Sequence, residues 1–160
     1  MSLPYEPGPE HEFLAKRTGI WDIECEYFFD PSSDPMRGSG VDTIESLGSY
    51  WSVARSKFDL PGIQLTGCAS IGFDPVIKMY RSTWFDTATP FLYVFEGMYD
   101  DERRVLEMTG ENVDPATGDL VQYRSKELYG GPDDRIFELL VESSPGLETQ
   151  ILRYVYTRRK

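Results

Sequence analysis

The sequence predicts an all-β fold, an up-and-down antiparallel β-barrel of about ten strands with a short helix at one mouth. Apolar and polar residues alternate along many short runs, which is the period of a half-buried strand. Turn-forming residues separate these runs, and the 160 residues include 14 glycines and 11 prolines. No stretch of helical period is long enough to join parallel strands. We therefore expect one domain over residues 1–160.

The short helix is predicted over residues 10–17. Two prolines precede it, acidic residues occupy its first turn and basic residues its last, and a glycine follows. Phe13, Leu14 and Arg17 share one face of this helix. We therefore expect the helix to lie across the barrel as a lid or plug.

The strands follow the helix. The first alternates Trp21, Ile23, Cys25 and Tyr27 with acidic residues, so its apolar side faces the core. Further strands are expected near residues 41–47, 50–58, 64–73, 78–86, 91–98, 104–112, 120–129, 135–142 and 149–157. A closed ring has no unpaired edge strands, which favours a barrel over a sandwich. A ring of eight strands already holds a small ligand, and ten strands leave more room.

Composition excludes several classes of partner. The formal net charge is −11 and the pI is about 4.5, whereas nucleic acids and anionic membranes require a basic surface. No apolar run approaches the ~18 residues of a membrane helix. The first residues lack the basic and apolar regions of a signal peptide, so we expect a cytoplasmic protein.

The sequence contains few residues that could bind a metal ion or act as a nucleophile. Cys25 and Cys68 both fall in predicted strands, and we expect two free thiols. His11 is the single histidine, which leaves too few ligands for a zinc site and argues against a Ser-His-Asp triad. We therefore predict neither a metal site nor a catalytic residue, and no cofactor.

The chain resembles a known family through blocks that span nearly its whole length. Gly19-Ile20-Trp21, which follows the helix, resembles the Gly-x-Trp start of lipocalin-like (calycin) barrels. The blocks that resemble a bacterial family of uncharacterised proteins, domain of unknown function 1579, are residues 9–14, 19–21, 47–51, 72–75, 83–86, 96–100 and 154–159. That family is similar in fold to nitrobindins and fatty-acid-binding barrels and has no agreed activity. The resemblance thus implies a calycin-like barrel.

The resemblance also bears on haem and on closure of the barrel. Nitrobindins hold haem through a histidine near the chain end, where this sequence has none. Tyr154 or Tyr156 would have to replace it, so haem is disfavoured. In lipocalin-like barrels a late-strand arginine packs across the first tryptophan, which here implies that Arg153 or Arg158 packs on Trp21 and closes the barrel.

Three aromatic residues are the main candidates for ligand contact. Trp84 alternates with Tyr80, Ser82 and Asp86, a mixture of aromatic and polar groups that suits a ligand-binding interior. The same face would also suit self-association if it pointed outward. Tyr93 lies on the following strand, and we expect Trp84, Tyr80 and Tyr93 to line the interior.

Arginines within strands are candidates for orienting a ligand. Arg55, Arg81, Arg124 and Arg153 each lie in mid-strand, where an inward guanidinium would hold a carboxylate or phosphate in a bidentate pair. An outward arginine would only be solvated. Arg55 and Arg153 are the two that we expect to face the ligand.

The run 91–98 is apolar on both faces. Tyr93 and Phe95 would line one side, and Leu92 and Val94 the other. A strand that is apolar on both sides is covered on both sides. We therefore expect a homodimer in which this strand takes part, with a solvent-exposed patch or a covering helix as the alternative.

The sequence is compatible with three hypotheses about the function of the protein. The leading hypothesis is a non-enzymatic binder of a small, partly apolar ligand inside the barrel. The second is an enzyme that acts on a small hydrophobic substrate there, using a carboxylate or Cys68. The third is a homodimeric interaction module with a filled barrel.

Overall fold

The computed structural model describes residues 4–160 and confirms a closed, ten-stranded antiparallel barrel. The elements are α1 (Pro9–Ala15), β1 (Gly19–Tyr27), β2 (Met36–Leu47), β3 (Trp51–Leu60), β4 (Ile63–Asp74), β5 (Met79–Asp86), β6 (Tyr93–Asp100), β7 (Val105–Val113), β8 (Leu120–Gly131), β9 (Asp134–Ser144) and β10 (Leu147–Arg158). Each strand pairs with the one before it, and β1 also pairs with β10. No helix within residues 4–160 is long and apolar enough to cross a membrane.

The strands match the predicted runs except at the start of β2. This strand begins at Met36 rather than near residue 41. Gly38 and Gly40 interrupt the apolar alternation there, and both face inward because they pair with Cys25 and Ile23 of β1. The inward side chains of β3 occupy the space that these glycines leave, which the local sequence pattern does not reveal.

Helix α1 covers the end of the barrel at which β1 begins. Leu14 is 1% exposed. Phe13 reaches across to the opposite wall of the barrel. There the centroid of its phenyl ring lies 4.5 Å from that of Tyr99 and 5.1 Å from that of Tyr129. His11 is buried, and its Nδ1 accepts a hydrogen bond from the Gly8 amide at 3.0 Å. We call the part of the interior next to α1 the sealed half.

The sealed half contains a buried cluster of charged side chains. Arg135 of β9 contacts Glu127 of β8 at 2.9 Å and Asp42 of β2 at 3.4 Å. Arg17, just after α1, donates to Glu127 at 3.1 Å. Tyr129 donates to the same carboxylate at 2.7 Å. Two arginines therefore face two carboxylates, and α1 is tied to the wall of the barrel through Arg17.

The two carboxylates respond to burial differently. Burial acts to raise the pKa of Glu127, but Arg17 and Arg135 outweigh it and the pKa is lowered. The pKa of Asp42 is raised, because burial outweighs the hydrogen bond from Ser56 and the attraction of Arg135. Glu127 is therefore the carboxylate that compensates the buried guanidinium groups.

Trp21 closes this end of the barrel between two arginines. The guanidinium carbons of Arg135 and Arg158 each lie 4.2 Å from its ring centroid. Its Nε1 donates to the carbonyl of Arg17 at 2.9 Å. Arg158 also donates to the carbonyls of Lys16 and Thr18, which follow α1. The late-strand arginine that packs on Trp21 is thus Arg158, and Arg135 of β9 packs on the same indole ring.

Replacing Glu127 tests the buried cluster. Glu127→Gln leaves two buried guanidinium groups with one acidic partner, so we expect the free energy of unfolding to fall by about 3–5 kcal/mol. Urea unfolding at pH 7 measures this change. Glu138→Gln on the outer face of β9 is the matched control and should cost less than about 1 kcal/mol.

The pH dependence of this difference has a defined sign. A lowered folded-state pKa gives stability that is present above the unfolded-state pKa and is lost as the pH falls through the folded-state pKa. The stability difference between wild type and Glu127→Gln should be constant near neutral pH and shrink below the ordinary glutamate pKa of 4.5. Equal losses in Glu127→Gln and Glu138→Gln would contradict this account.

Candidate ligand-binding site inside the barrel

The end of the interior away from α1, which we call the open half, has inward side chains that are only partly buried. Ala69 on β4 and Trp84 on β5 face inward, as do Phe137 and Leu139 on β9. The two groups lie on opposite walls of the ring. All four are only half-buried, whereas Leu106 in the sealed half is 0% exposed. Water therefore reaches part of the inward surface on both of these walls.

Inward-facing glycines let two large rings lie against the wall of the barrel. A Cβ added to Gly67 of β4 would overlap the six-membered ring of Trp84. A Cβ added to Gly40 of β2 would lie 2.6 Å from Cδ1 of Phe58. Both rings therefore pack where a side chain would otherwise stand. The two glycines therefore allow these rings to lie close to the backbones of β2 and β4.

Asp86 fixes the edge of the Trp84 indole. The Trp84 Nε1 donates to Oδ2 of Asp86 at 2.8 Å. The other carboxylate oxygen, Oδ1, accepts the backbone N–H groups of Ala88 and Thr89 at 2.9 Å and 3.3 Å. The carboxylate is thus anchored to the loop after β5 and in turn orients the indole.

Tyrosines supply the other polar groups of the open half. The hydroxyls of Tyr27 on β1 and Tyr154 on β10 are hydrogen-bonded to each other. Burial raises the pKa of Tyr27 to about 12 and that of Tyr154 well above its ordinary value. Tyr93 on β6 also has a raised pKa, mainly through burial. These hydroxyls are neutral near pH 7, so they can donate or accept hydrogen bonds but cannot act as bases.

The aromatic rings form one continuous lining. The ring centroid of Phe58 lies 6.3 Å from that of Trp84 and 5.2 Å from that of Tyr154. Phe137 continues the lining at 6.0 Å from Tyr154. Edge-on and tilted contacts of this kind are favourable for aromatic pairs. The open half is therefore a mostly aromatic space with a few fixed polar groups, which is the usual character of a small-molecule site.

The predicted ligand-contacting aromatics separate into two groups. Trp84 and Tyr93 are paired across β5 and β6 and face inward in the open half. Tyr80 also faces inward, but it is buried in the sealed half, 5.8 Å from Phe13 between ring centroids. Tyr80 is therefore part of the packing under α1 and does not share the site of Trp84.

The predicted inward direction of Arg55 and Arg153 is wrong. Arg55 is exposed on the outer face of β3, beside Lys57 on the same face. Arg153 lies on the outer face of β10 and pairs with Glu26 at 3.4 Å. The inward positions of these strands are occupied by small or aromatic side chains, so neither arginine reaches a ligand inside the barrel. Arg81 and Arg124 also belong to outer-face ion pairs.

The two free cysteines lie on opposite faces of the barrel wall, and Cys25 faces inward as predicted. Cys68 pairs with Arg55 and Phe85 on the outer face, so a role for it inside the barrel is also wrong. Cys25 is the inward thiol, and burial raises its pKa to about 12, so it stays protonated. Within residues 4–160, no three His, Cys, Asp or Glu side chains are grouped to hold a metal ion.

Four residues of the open half were not singled out from the sequence as ligand contacts: Tyr27, Phe58, Asp86 and Tyr154. The alternation around Trp21 predicts that Tyr27 faces inward, and small inward residues on β3 would have pointed to Phe58. Asp86 shares the face of Trp84 in the sequence, and its bonds from Ala88 and Thr89 depend on the bend of the chain after β5. Arg135 in the sealed half was also missed, because it follows two acidic residues that mark a turn.

The outer surface carries two shallow grooves, which are poorer candidates for a ligand site than the open half. A shallow groove of about 590 Å³ crosses β10 and β1 to β4, and another of about 560 Å³ crosses β5 to β7. Outward side chains such as Asp22, Lys57 and Thr157 line most of the first. Neither groove joins an aromatic lining to an oriented polar group as the open half does.

Comparison with known proteins places the chain in a family. The family model described as "Protein of unknown function (DUF1579)" matches residues 6–158. The chain belongs to this family. No curated protein is similar enough in sequence to the chain to count as a match.

Solved structures of similar fold agree with the barrel. The crystal structure of Rv2717c from M. tuberculosis has a TM-score of 0.69 at 12% identity, covering 97% of this chain and 100% of that one. The S-type phycobiliprotein lyase CPES from Guillardia theta has a TM-score of 0.61 at 9% identity, covering 98% and 99%. At these identities the likeness shows the DUF1579 chain's fold alone.

The packing of Trp84 on Gly67 can be tested with a matched pair on β4. Gly67→Ala places a methyl group in the Trp84 ring, so we expect a loss of about 1–3 kcal/mol in the free energy of unfolding. Gly72→Ala meets the ring of Trp51 on the outer face, but Trp51 is 48% exposed and can rotate into solvent. Urea unfolding should therefore show the smaller loss for Gly72→Ala, and the reverse order would contradict the proposed packing.

Proposed function

We propose that the protein is a non-enzymatic binder of a small, partly apolar ligand, held in the open half of the barrel. The observation that carries this proposal is the half-buried state of Trp84 and Ala69 on one wall and of Leu139 on the opposite wall. Ala69 and Leu139 lie in the middle of β4 and β9, where a filled barrel would bury them. Binding of an apolar ligand there removes aromatic and aliphatic surface from water, which is favourable.

The chemistry of the open half supports binding rather than catalysis. The two hydroxyls that lie within hydrogen-bond distance, those of Tyr27 and Tyr154, have raised pKa values and are neutral. The Cys25 thiol is protonated for the same reason. General base or nucleophilic catalysis requires a group whose pKa is matched to the working pH. The enzyme hypothesis would therefore rest on Asp86 alone.

Native mass spectrometry of protein purified gently from its source tests the proposal directly. We expect a folded species heavier than the bare chain by one discrete small-molecule mass, and this mass disappears on denaturation. Nile red, a neutral apolar dye, provides a second probe for the purified protein. Its fluorescence rises when it leaves water for an apolar site.

A matched pair of substitutions on β9 locates the ligand. Leu139→Trp points into the open half and should abolish Nile red binding with less than about 1 kcal/mol loss of unfolding free energy, because the space is already there. Leu140→Trp adds the same side chain on the outer face and should leave binding unchanged. Overpacking of a filled interior typically costs about 1–3 kcal/mol. Such a loss in Leu139→Trp alone, without any dye binding in wild type, would favour a filled barrel.

A homodimer remains the second candidate, and one outer patch favours it. Leu92 and Val94 near the start of β6 are 57% and 39% exposed, and Phe85 of β5 and Met98 of β6 extend the patch at 51% and 61%. Apolar side chains grouped on a surface in this way mark interaction sites. We propose that a second copy of the chain covers this patch through its own β5 and β6.

Substitution of Val94 tests the dimer. Val94→Lys places a charge at the centre of the patch, and an interface there would lose most of its affinity because the lysine would be buried unpaired. Size-exclusion chromatography with light scattering should show a dimer for wild type and a monomer for Val94→Lys. Val53→Lys on the outer face of β3 is the control and should remain dimeric. A dimer that survives Val94→Lys would place the interface elsewhere.

A further inference from the structure

We infer that the ligand of the open half carries a positive charge, as an amine or another organic cation, and that Asp86 and the aromatic lining recognise it. This inference rests on the proposed function and names the chemical class of the ligand. It depends on three features of the open half: a carboxylate without a cationic partner, the absence of inward basic residues, and aromatic faces around that carboxylate.

The carboxylate of Asp86 differs from the other inward-facing acids. Asp42 and Glu127 in the sealed half each contact a buried arginine. Asp86 has no Lys or Arg within 4.0 Å among residues 4–160, and its hydrogen bonds come only from neutral N–H groups. This carboxylate therefore has no cationic side chain as a partner among the described residues. A ligand cation would supply the missing charge through a charge-assisted hydrogen bond.

The open half holds no inward basic side chain. The strand register within residues 4–160 places the basic residues of β3 and β10, Arg55, Lys57 and Arg153, on the outer face at this level of the barrel. The inward arginine of β9, Arg135, is buried in the sealed half and already paired. An anionic ligand would therefore meet Asp86 without a compensating cation, and its binding would be opposed.

The rings near Asp86 complete a site for a cation. Trp84 donates to Asp86 from its indole edge, lies with its six-membered ring over Gly67, and is only partly buried. Tyr93 is the cross-strand partner of Trp84, so its side chain lies beside the indole on the inward face. Cations are attracted to the faces of such rings, most strongly to that of tryptophan.

The charge of the whole protein acts in the same direction. A formal net charge of −11 attracts cations and repels anions at long range, although salt screens this effect. Long-range attraction raises the rate of encounter, whereas Asp86 and the rings determine which group of the ligand is held.

Three probes of equal chain length test the inference on the wild-type protein. Octylamine, 1-octanol and octanoate share the same apolar tail and differ in the charge of the end group at pH 7. Isothermal titration calorimetry should show octylamine binding about tenfold or more tightly than 1-octanol, with octanoate the weakest. Equal or tighter binding of 1-octanol or octanoate would overturn the inference.

Asp86→Asn identifies the group responsible. This change keeps the shape of the side chain and removes its charge, so octylamine should lose about tenfold or more in affinity while 1-octanol changes by less than about threefold. Asp59→Asn removes one negative charge from the outer face of β3 and controls for the net charge. If Asp59→Asn weakens octylamine as much as Asp86→Asn does, the preference arises from long-range attraction and the inferred site is wrong.

The outcomes separate this inference from the proposed function. If 1-octanol and Nile red bind in wild type and are lost in Leu139→Trp, but octylamine has no advantage, the binding function stands and the cation preference fails. If none of the probes binds to the folded protein, both fail. Should Asp86→Asn not fold, as judged by far-UV circular dichroism, the ranking of the three probes on wild type decides alone.

Discussion

The pairing of β1 with β10 closes ten strands into one ring, and the width of that ring governs the rest of the structure. A ring of eight strands is about the widest that side chains fill, so a ten-stranded interior needs either further material or a ligand. The molecule fills one half with α1 and large side chains. In the other half it holds the rings against the wall, where inward glycines make room for Trp84 and Phe58.

The two halves of the interior differ in whether their inward-facing carboxylates have cationic partners. In the sealed half, Arg17 and Arg135 face Glu127 and Asp42, and the cluster is covered by Trp21 and α1. Buried charges are tolerated there because each has an opposite partner. In the open half, Asp86 has only neutral hydrogen-bond donors among the described residues. The first arrangement holds α1 to the barrel, whereas the second is the basis of the proposed cation site.

The outer surface exposes some apolar side chains on a strand that also lines the interior. On β6, alternate residues line the open half and the outer patch, so Tyr93 faces inward while Val94 faces solvent. This strand, which is apolar on both faces, therefore contributes to the proposed ligand site and to the proposed dimer interface. The proposed ligand site and the proposed dimer patch lie on opposite faces of this strand, so they share no side chain.

The sequence by itself determined the ten strands, the helix at one mouth and the inward alternation that begins at Trp21, because strand period and turn residues are local properties. It also carried the family resemblance. The tertiary structure alone decided the inward or outward direction of mid-strand arginines, since a one-residue change of register exchanges the two faces. Arg55 and Arg153 were misassigned for this reason. The pairing of Arg135 with Asp42 and the packing of Trp84 on Gly67 join residues that are far apart in the sequence, so no local pattern could reveal them.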